Sequence, residues 1–170
     1  EGVEVEEGRR VALCFVRVSQ DDAGGGGLAG REGREVVYGG APRGGTRTAA
    51  ADPAPAGTTS RQLTADATML FRYSAITFNG HRIHYGAPYA REVEGYGGLV
   101  VHGPLQATLM AHMAAEIHGR APTRFSFRGR SPIFDDAPFM LHATEYDDGL
   151  SLWTAREGGA VAMPAKAGRS

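Results

Sequence analysis

Apolar residues recur along this chain with two different periods. Val11 to Val18 (VALCFVRV) and Arg34 to Tyr38 (REVVY) are short runs rich in β-branched residues. The glycines 24–27 and Gly30 lie between them, so the pair predicts two strands joined as a hairpin. Leu105, Leu109, Met113 and Ile117 fall four residues apart, flanked by Met110 and Ala114. That spacing predicts one helix with a broad apolar face, starting after Gly103 and ending at Gly119. Beyond it, FSFRGRS (125–131), PFMLHATEY (138–146), LSLWTAR (150–156) and AVAM (160–163) are separated by turn residues such as Asp147-Asp148-Gly149 and Glu157-Gly158-Gly159. They predict an antiparallel meander. Met69 to Phe78 (MLFRYSAITF) predicts a further strand, interrupted by Asn79-Gly80-His81-Arg82, and a short helix is expected from Pro88 to Glu94, stopped by glycines 95, 97 and 98.

From Gly39 to about Ser60 nothing large enough to bury is present, and this stretch of Gly, Pro, Ala and Thr reads as a flexible linker. The organisation expected is therefore a pair of strands over 1–40, a linker over 41–62 and one α+β domain over 63–167. In that domain a strand, an apolar helix and three or four antiparallel strands follow one another, the order of a sheet wrapped around a central helix.

Composition narrows the function classes. The 18 basic and 19 acidic residues balance to a formal charge of −1, which leaves no electrostatic footprint for nucleic acid or an anionic membrane. No apolar stretch approaches the roughly 20 residues of a membrane helix, and the acidic start from Glu1 to Glu7 is unlike a signal peptide. Cys14 is the one cysteine, so neither a disulfide framework nor a cysteine metal site forms within one chain, and a cytoplasmic setting is expected.

Side chains able to do chemistry concentrate in two places. Asn79-Gly80-His81-Arg82-Ile83-His84-Tyr85 packs two imidazoles, an amide, a guanidinium and a phenol into seven positions. An imidazole with an ordinary pKa of about 6.5 both takes and gives a proton near neutral pH, which elimination of water requires. His84 is the preferred base. The alternative is that His81 and His84 are loop or structural histidines. No third ligand with familiar spacing accompanies them, so no metal is expected. The second place is Val101-His102-Gly103-Pro104-Leu105, where the start of the apolar helix would present free N–H groups to a thioester carbonyl oxygen; its plain alternative is a helix start in which Gly103 only turns the chain. Arg124, Arg128 and Arg130 suit either phosphate contacts or a solvated strand face.

The run Phe71-Arg72-Tyr73-Ser74-Ala75-Ile76-Thr77-Phe78-Asn79-Gly80-His81-Arg82-Ile83-His84-Tyr85, with Tyr89 to Tyr96 and Leu99 to Leu105, resembles the MaoC-like hydratases, specifically the type 2 hydroxyacyl-thioester dehydratase and mesaconyl-CoA hydratase branch. The resemblance covers about residues 63–165 and implies a hot-dog fold. The wider family's motif Asp-x-Asn-Pro-x-His falls on Asn79, Gly80, His81, Arg82, Ile83 and His84, so the histidine is kept and the aspartate is replaced by Asn79. Gly86 stands where the branch typically has an aspartate directly after His-Tyr, a carboxylate that the resemblance implies would orient or charge-balance the imidazole, and Gly97 where a proline is usual. Since this family commonly carries two hot-dog repeats, residues 1–40 resemble the last strands of a truncated first repeat.

What the resemblance implies is reversible hydration of an enoyl thioester, carried by CoA or acyl carrier protein, without a cofactor. His84, Asn79 and His81 would be catalytic; Gly103, His102, Thr77, Tyr85 and Pro104 would contact substrate. A homodimer, or pairing with another hot-dog domain, would complete the assembly. Two competing expectations are a non-catalytic hot-dog half that supplies structure, and thioester hydrolysis, for which neither motif offers a carboxylate.

Overall fold

The computed structural model describes residues 2–7, 13–24, 27–39, 52–147 and 149–168. The chain divides into two compact units at Ala49/Ala50. In the first, β1 (Gly2–Glu7), β2 (Leu13–Gly24) and β3 (Gly27–Gly39) form an antiparallel sheet in that order, so the expected hairpin between the second and third strands is present and the acidic start joins it as a third strand. Residues 40–51, which include the first half of the linker expected over 41–62, lie outside the described residues.

The second unit holds a five-stranded antiparallel sheet built from β4 (Thr59–Leu63), β5 (Arg124–Phe127), β6 (Phe139–Tyr146), β7 (Gly149–Arg156) and β8 (Val161–Gly168). Its order is β4-β6-β7-β8-β5. The last three strands are the expected meander. The strand at 124–127 departs from it: β5 pairs with β8, Phe125 opposite Ala167, and so forms the far edge, while β4, from the end of the stretch read as linker, covers the β6 edge. Local turn chemistry sets neighbours only between consecutive strands; the two edges are set by pairings across the domain.

The long helix α2 (Gly103–His118) lies against β6, β7 and β8. Met110, Met113 and Ala114 are buried with Phe139, Leu141, Leu150, Leu152 and Ala165, which form the centre of the core. The helix stops at Gly119 because that residue adopts φ 70°, a left-handed conformation that glycine takes without a Cβ penalty. The buried stripe is rotated from the expected one. Leu109 and Ile117 are only partly buried, whereas Gln106 is fully buried. Thr154 of β7 donates to Gln106 Oε1 at 2.8 Å, and Gln106 Nε2 donates to Val101 O at 3.3 Å. With its amide paired at both ends, Gln106 ties the first turn of α2 to the sheet.

Met69 to Phe78 is not a strand. Residues Ala67–Ile76 form helix α1, capped by Asp66, whose carboxylate accepts from Met69 N at 2.7 Å. Aromatic residues give this run a strand-like composition, but Ala67, Met69, Leu70 and Ala75 favour helix, and the buried Leu70 and Ser74 are four residues apart, one helical turn. The short helix near 88–94 is present as a π-helical turn, Tyr89–Val93, ending before Gly95 at φ 73°.

Replacing Thr154 with Val removes the donor to Gln106 and leaves a buried carbonyl oxygen unpaired. We expect a loss of about 1–3 kcal/mol of stability, read from the denaturant midpoint; an unchanged midpoint would show that the pair does not anchor α2.

Candidate active site

His84 and His102 are 18 positions apart in sequence and meet face to face. Their rings are stacked, with centroids 3.7 Å apart and planes 17° from parallel. His84 closes a 3-10 turn, Arg82–His84, that follows α1, and His102 is the N-cap residue of α2. The segment between the two is clamped: Val100 N donates to Ile83 O at 2.9 Å, Val101 N to Ile133 O at 2.8 Å and Asp135 N to Leu99 O at 3.0 Å. Leu99 N donates in turn to Asp135 Oδ1 at 2.8 Å, and a Cβ on Gly98 would lie 2.6 Å from that same oxygen.

His84 Nδ1 lies 2.7 Å from Val100 O. A carbonyl oxygen only accepts, so Nδ1 carries the hydrogen and the lone pair of the neutral ring is on Nε2. Burial holds the pKa of His84 below the ordinary histidine value, against the opposing pull of the Val100 bond and with a smaller lowering from His81. His102 is pushed down to about 4, first by burial and then by the neighbouring His84. Both rings are therefore neutral at pH 7. The Nε2 of His102 lies 2.8 Å from the Ser74 hydroxyl of α1, and Tyr73 meets the same ring edge-on at 4.8 Å.

Of the other residues that the sequence singles out, His81 makes a ring contact with the pair. His81 is exposed, its ring 5.9 Å from that of His84 and nearly perpendicular to it, with Nε2 3.7 Å from Glu94 Oε1. Asn79 is half-buried and accepts His81 N on Oδ1 at 3.0 Å. Gly103 opens α2 directly after His102, and no side chain caps that helix end. Pro104 is exposed in the first turn. Thr77 and Tyr85 are spent locally: the Thr77 hydroxyl donates to Tyr73 O at 2.6 Å and Tyr85 Oη to Gly80 O at 2.8 Å. Two hollows of about 510 Å³, one along the C-terminal half of α2 and one between Ala54 and Gly159, are lined by neither histidine of the pair.

Gly86 has a local explanation. Its N–H donates to Arg82 O at 2.7 Å, and a Cβ there would sit 3.1 Å from that oxygen, so a side chain would require the turn carrying His84 to give way by a few tenths of an ångström. Where the resemblance implies a carboxylate after His-Tyr, the His84 ring is held here by the Val100 carbonyl. Sequence reasoning misses Val100, whose contribution is a backbone oxygen, and Ser74, which lies on the helix read as a strand. Among the described residues no three His, Cys, Asp or Glu side chains converge as a metal cage, and no helix is long and apolar enough to cross a membrane.

The pattern of a family described as hydroxyacyl-thioester dehydratase type 2 matches residues 3–135. Mesaconyl-C(4)-CoA hydratase of Chloroflexus aurantiacus is 48% identical over 106 residues, 62% of this chain and 38% of the relative. The mitochondrial hydroxyacyl-thioester dehydratase type 2 of Schizosaccharomyces pombe is 38% identical over 91 residues, 52% of this chain and 29% of the relative. This chain thus spans well under half the length of either. The crystal structure of HtdX from Mycobacterium tuberculosis superposes with a TM-score of 0.73 at 21% identity, covering 98% of this chain and 66% of that one, a likeness of fold.

The depressed histidines make stability depend on pH. Each binds its proton more readily when unfolded, so stability is full above the unfolded value of about 6.5 and falls as pH drops, by about 1.4 kcal/mol per pH unit for each group in its window. For His102 that window runs from about 6.5 down to about 4. Urea unfolding from pH 8 to pH 4 is expected to show this decline, and a flat profile would contradict the burial of neutral rings.

Proposed function

Because the chain belongs to the hydroxyacyl-thioester dehydratase type 2 family, we propose that it hydrates an enoyl thioester, and dehydrates the 3-hydroxyacyl thioester, with His84 as the proton-transfer group. The single observation supporting this is the 2.7 Å contact of His84 Nδ1 with Val100 O, which leaves Nε2 unprotonated on a ring stacked against His102, the N-cap residue of α2.

In hydration, His84 Nε2 takes a proton from water as the oxygen bonds to C3 of the enoyl group. The carbon–carbon π electrons move toward the thioester carbonyl, whose oxygen gains negative charge. The first-turn N–H groups of Gly103 and Leu105, together with the positive end of the helix dipole, stabilise that charge. The imidazolium then returns the proton to C2. In dehydration the same ring removes the C2 proton and delivers it to the departing hydroxyl, so one residue serves as acid and base. Asn79 orients the water through its amide N–H groups. His81, exposed beside His84, is the third member of the proposed catalytic set.

The substrate class we favour is an acyl-CoA, including branched or dicarboxylic acyl groups of the mesaconyl type, because the name of the 48% identical relative specifies one. We further propose that this unit, a hot-dog domain whose sheet begins with β4 at Thr59 rather than at residue 63, pairs with a second such domain. Its sheet ends in two edges, β4 and β5, and exposed strand edges are usually covered.

The test follows absorbance of the conjugated band of crotonyl-CoA and mesaconyl-CoA mixed with the protein. Loss of the band without free thiol is expected, and His84→Ala should lower kcat/KM by about 10²–10⁴-fold. Release of thiol would indicate hydrolysis instead. An unchanged spectrum with every enoyl thioester tried would overturn the reading.

A further inference from the structure

Burial of His102 is difficult to explain by its place at a helix end alone. N-cap positions favour side chains that accept from the first-turn N–H groups, yet the ring of His102 caps nothing. It is only 1% exposed, Nε2 is bound to the Ser74 hydroxyl, and Nδ1 has no partner among the described residues. A buried ring nitrogen left unpaired is destabilising, a cost that an apolar residue at 102 would avoid. What the position does provide is a flat surface under His84.

We propose that His102, tethered to Ser74 and stacked on His84, is a positioning residue that holds the His84 ring dry and in a single orientation for proton transfer. This rests on the assignment of His84 made above. The His84 ring is then fixed on two sides, at one edge by Val100 O and on one face by His102, and turning about its last torsion would break both contacts. Tyr73, edge-on to His102 with the two planes 61° apart, and Ser74 hold the second ring from α1. The titratable groups facing the pair are His81 from the 3-10 turn, with Glu94 behind it, and Tyr73 from α1.

Stacking makes a demand that filling of space does not: the neighbour must be planar. His102→Phe keeps a flat ring without nitrogens, and His102→Leu fills a similar volume without a flat face. The experiment follows the His84 ring by NMR as pH is varied in the wild-type protein and both variants, each checked for folding by its thermal transition. With His102→Phe the His84 midpoint should stay within a few tenths of a unit of wild type. With His102→Leu, where water reaches the ring, it should rise toward the ordinary histidine value. In parallel, kcat for an enoyl-CoA should fall about 10-fold or more in His102→Leu, with KM changed less than about 2-fold, and should fall less in His102→Phe.

Equal His84 midpoints in both folded variants would overturn the proposal, because planarity would then be irrelevant. So would a loss in His102→Phe equal to that in His102→Leu, which would assign the role to the ring nitrogens. If the wild-type protein hydrates no enoyl thioester, the function proposed for His84 fails while the titration still decides whether His102 positions it.

Discussion

The contact between His84 Nδ1 and the carbonyl oxygen of Val100 is the constraint from which the site follows. It joins the turn after α1 to the segment that leads into α2, and it decides which nitrogen of the ring is free. A histidine without this bond could adopt either tautomer, and the ring could face solvent as readily as the helix start. Because the acceptor is a backbone oxygen, its placement depends on the path of the chain from Leu99 to Val101. That path is fixed by the bonds to Ile83, Ile133 and Asp135.

Those bonds connect the core to the chemistry. The helix that fills the sheet also carries the N-terminal N–H groups, and Gln106 locks its first turn through Thr154 and Val101. The packing of Met110 and Met113 against β6–β8 therefore does more than stabilise the unit: it sets the position of the helix end against which His102 and then His84 are placed. A dry, neutral imidazole pair results. Burial lowers the proton affinity of both rings, and the stack disfavours two charges in contact.

Much of this was legible in the residues. The four-residue spacing of Leu105, Leu109, Met113 and Ile117 located α2, and the turn residues at 147–149 and 157–159 located the β6–β7–β8 meander. His84 stood out for its chemistry, and the His102-Gly103-Pro104 start for its proximity to a helix end. Three features were not legible for physical reasons. Helix α1 carries the aromatic residues of a strand, and only the Asp66 cap and the one-turn spacing of Leu70 and Ser74 reveal its period. The place of β5 beside β8 depends on pairing across the domain, which no local pattern encodes. The stack of His84 on His102 joins residues whose proximity is created by the clamp around Leu99 to Val101. Thr77 and Tyr85, polar and close to the motif, instead satisfy nearby carbonyls.

The tautomer of His84 is the most direct measure of the central claim. Ring nitrogen shifts, read through long-range couplings to the ring protons near pH 7.5, should show a protonated Nδ1 and an unprotonated Nε2. A protonated Nε2 beside a bare Nδ1, or a ring protonated on both nitrogens at that pH, would contradict the bond to Val100 and with it the assignment of Nε2 as the base.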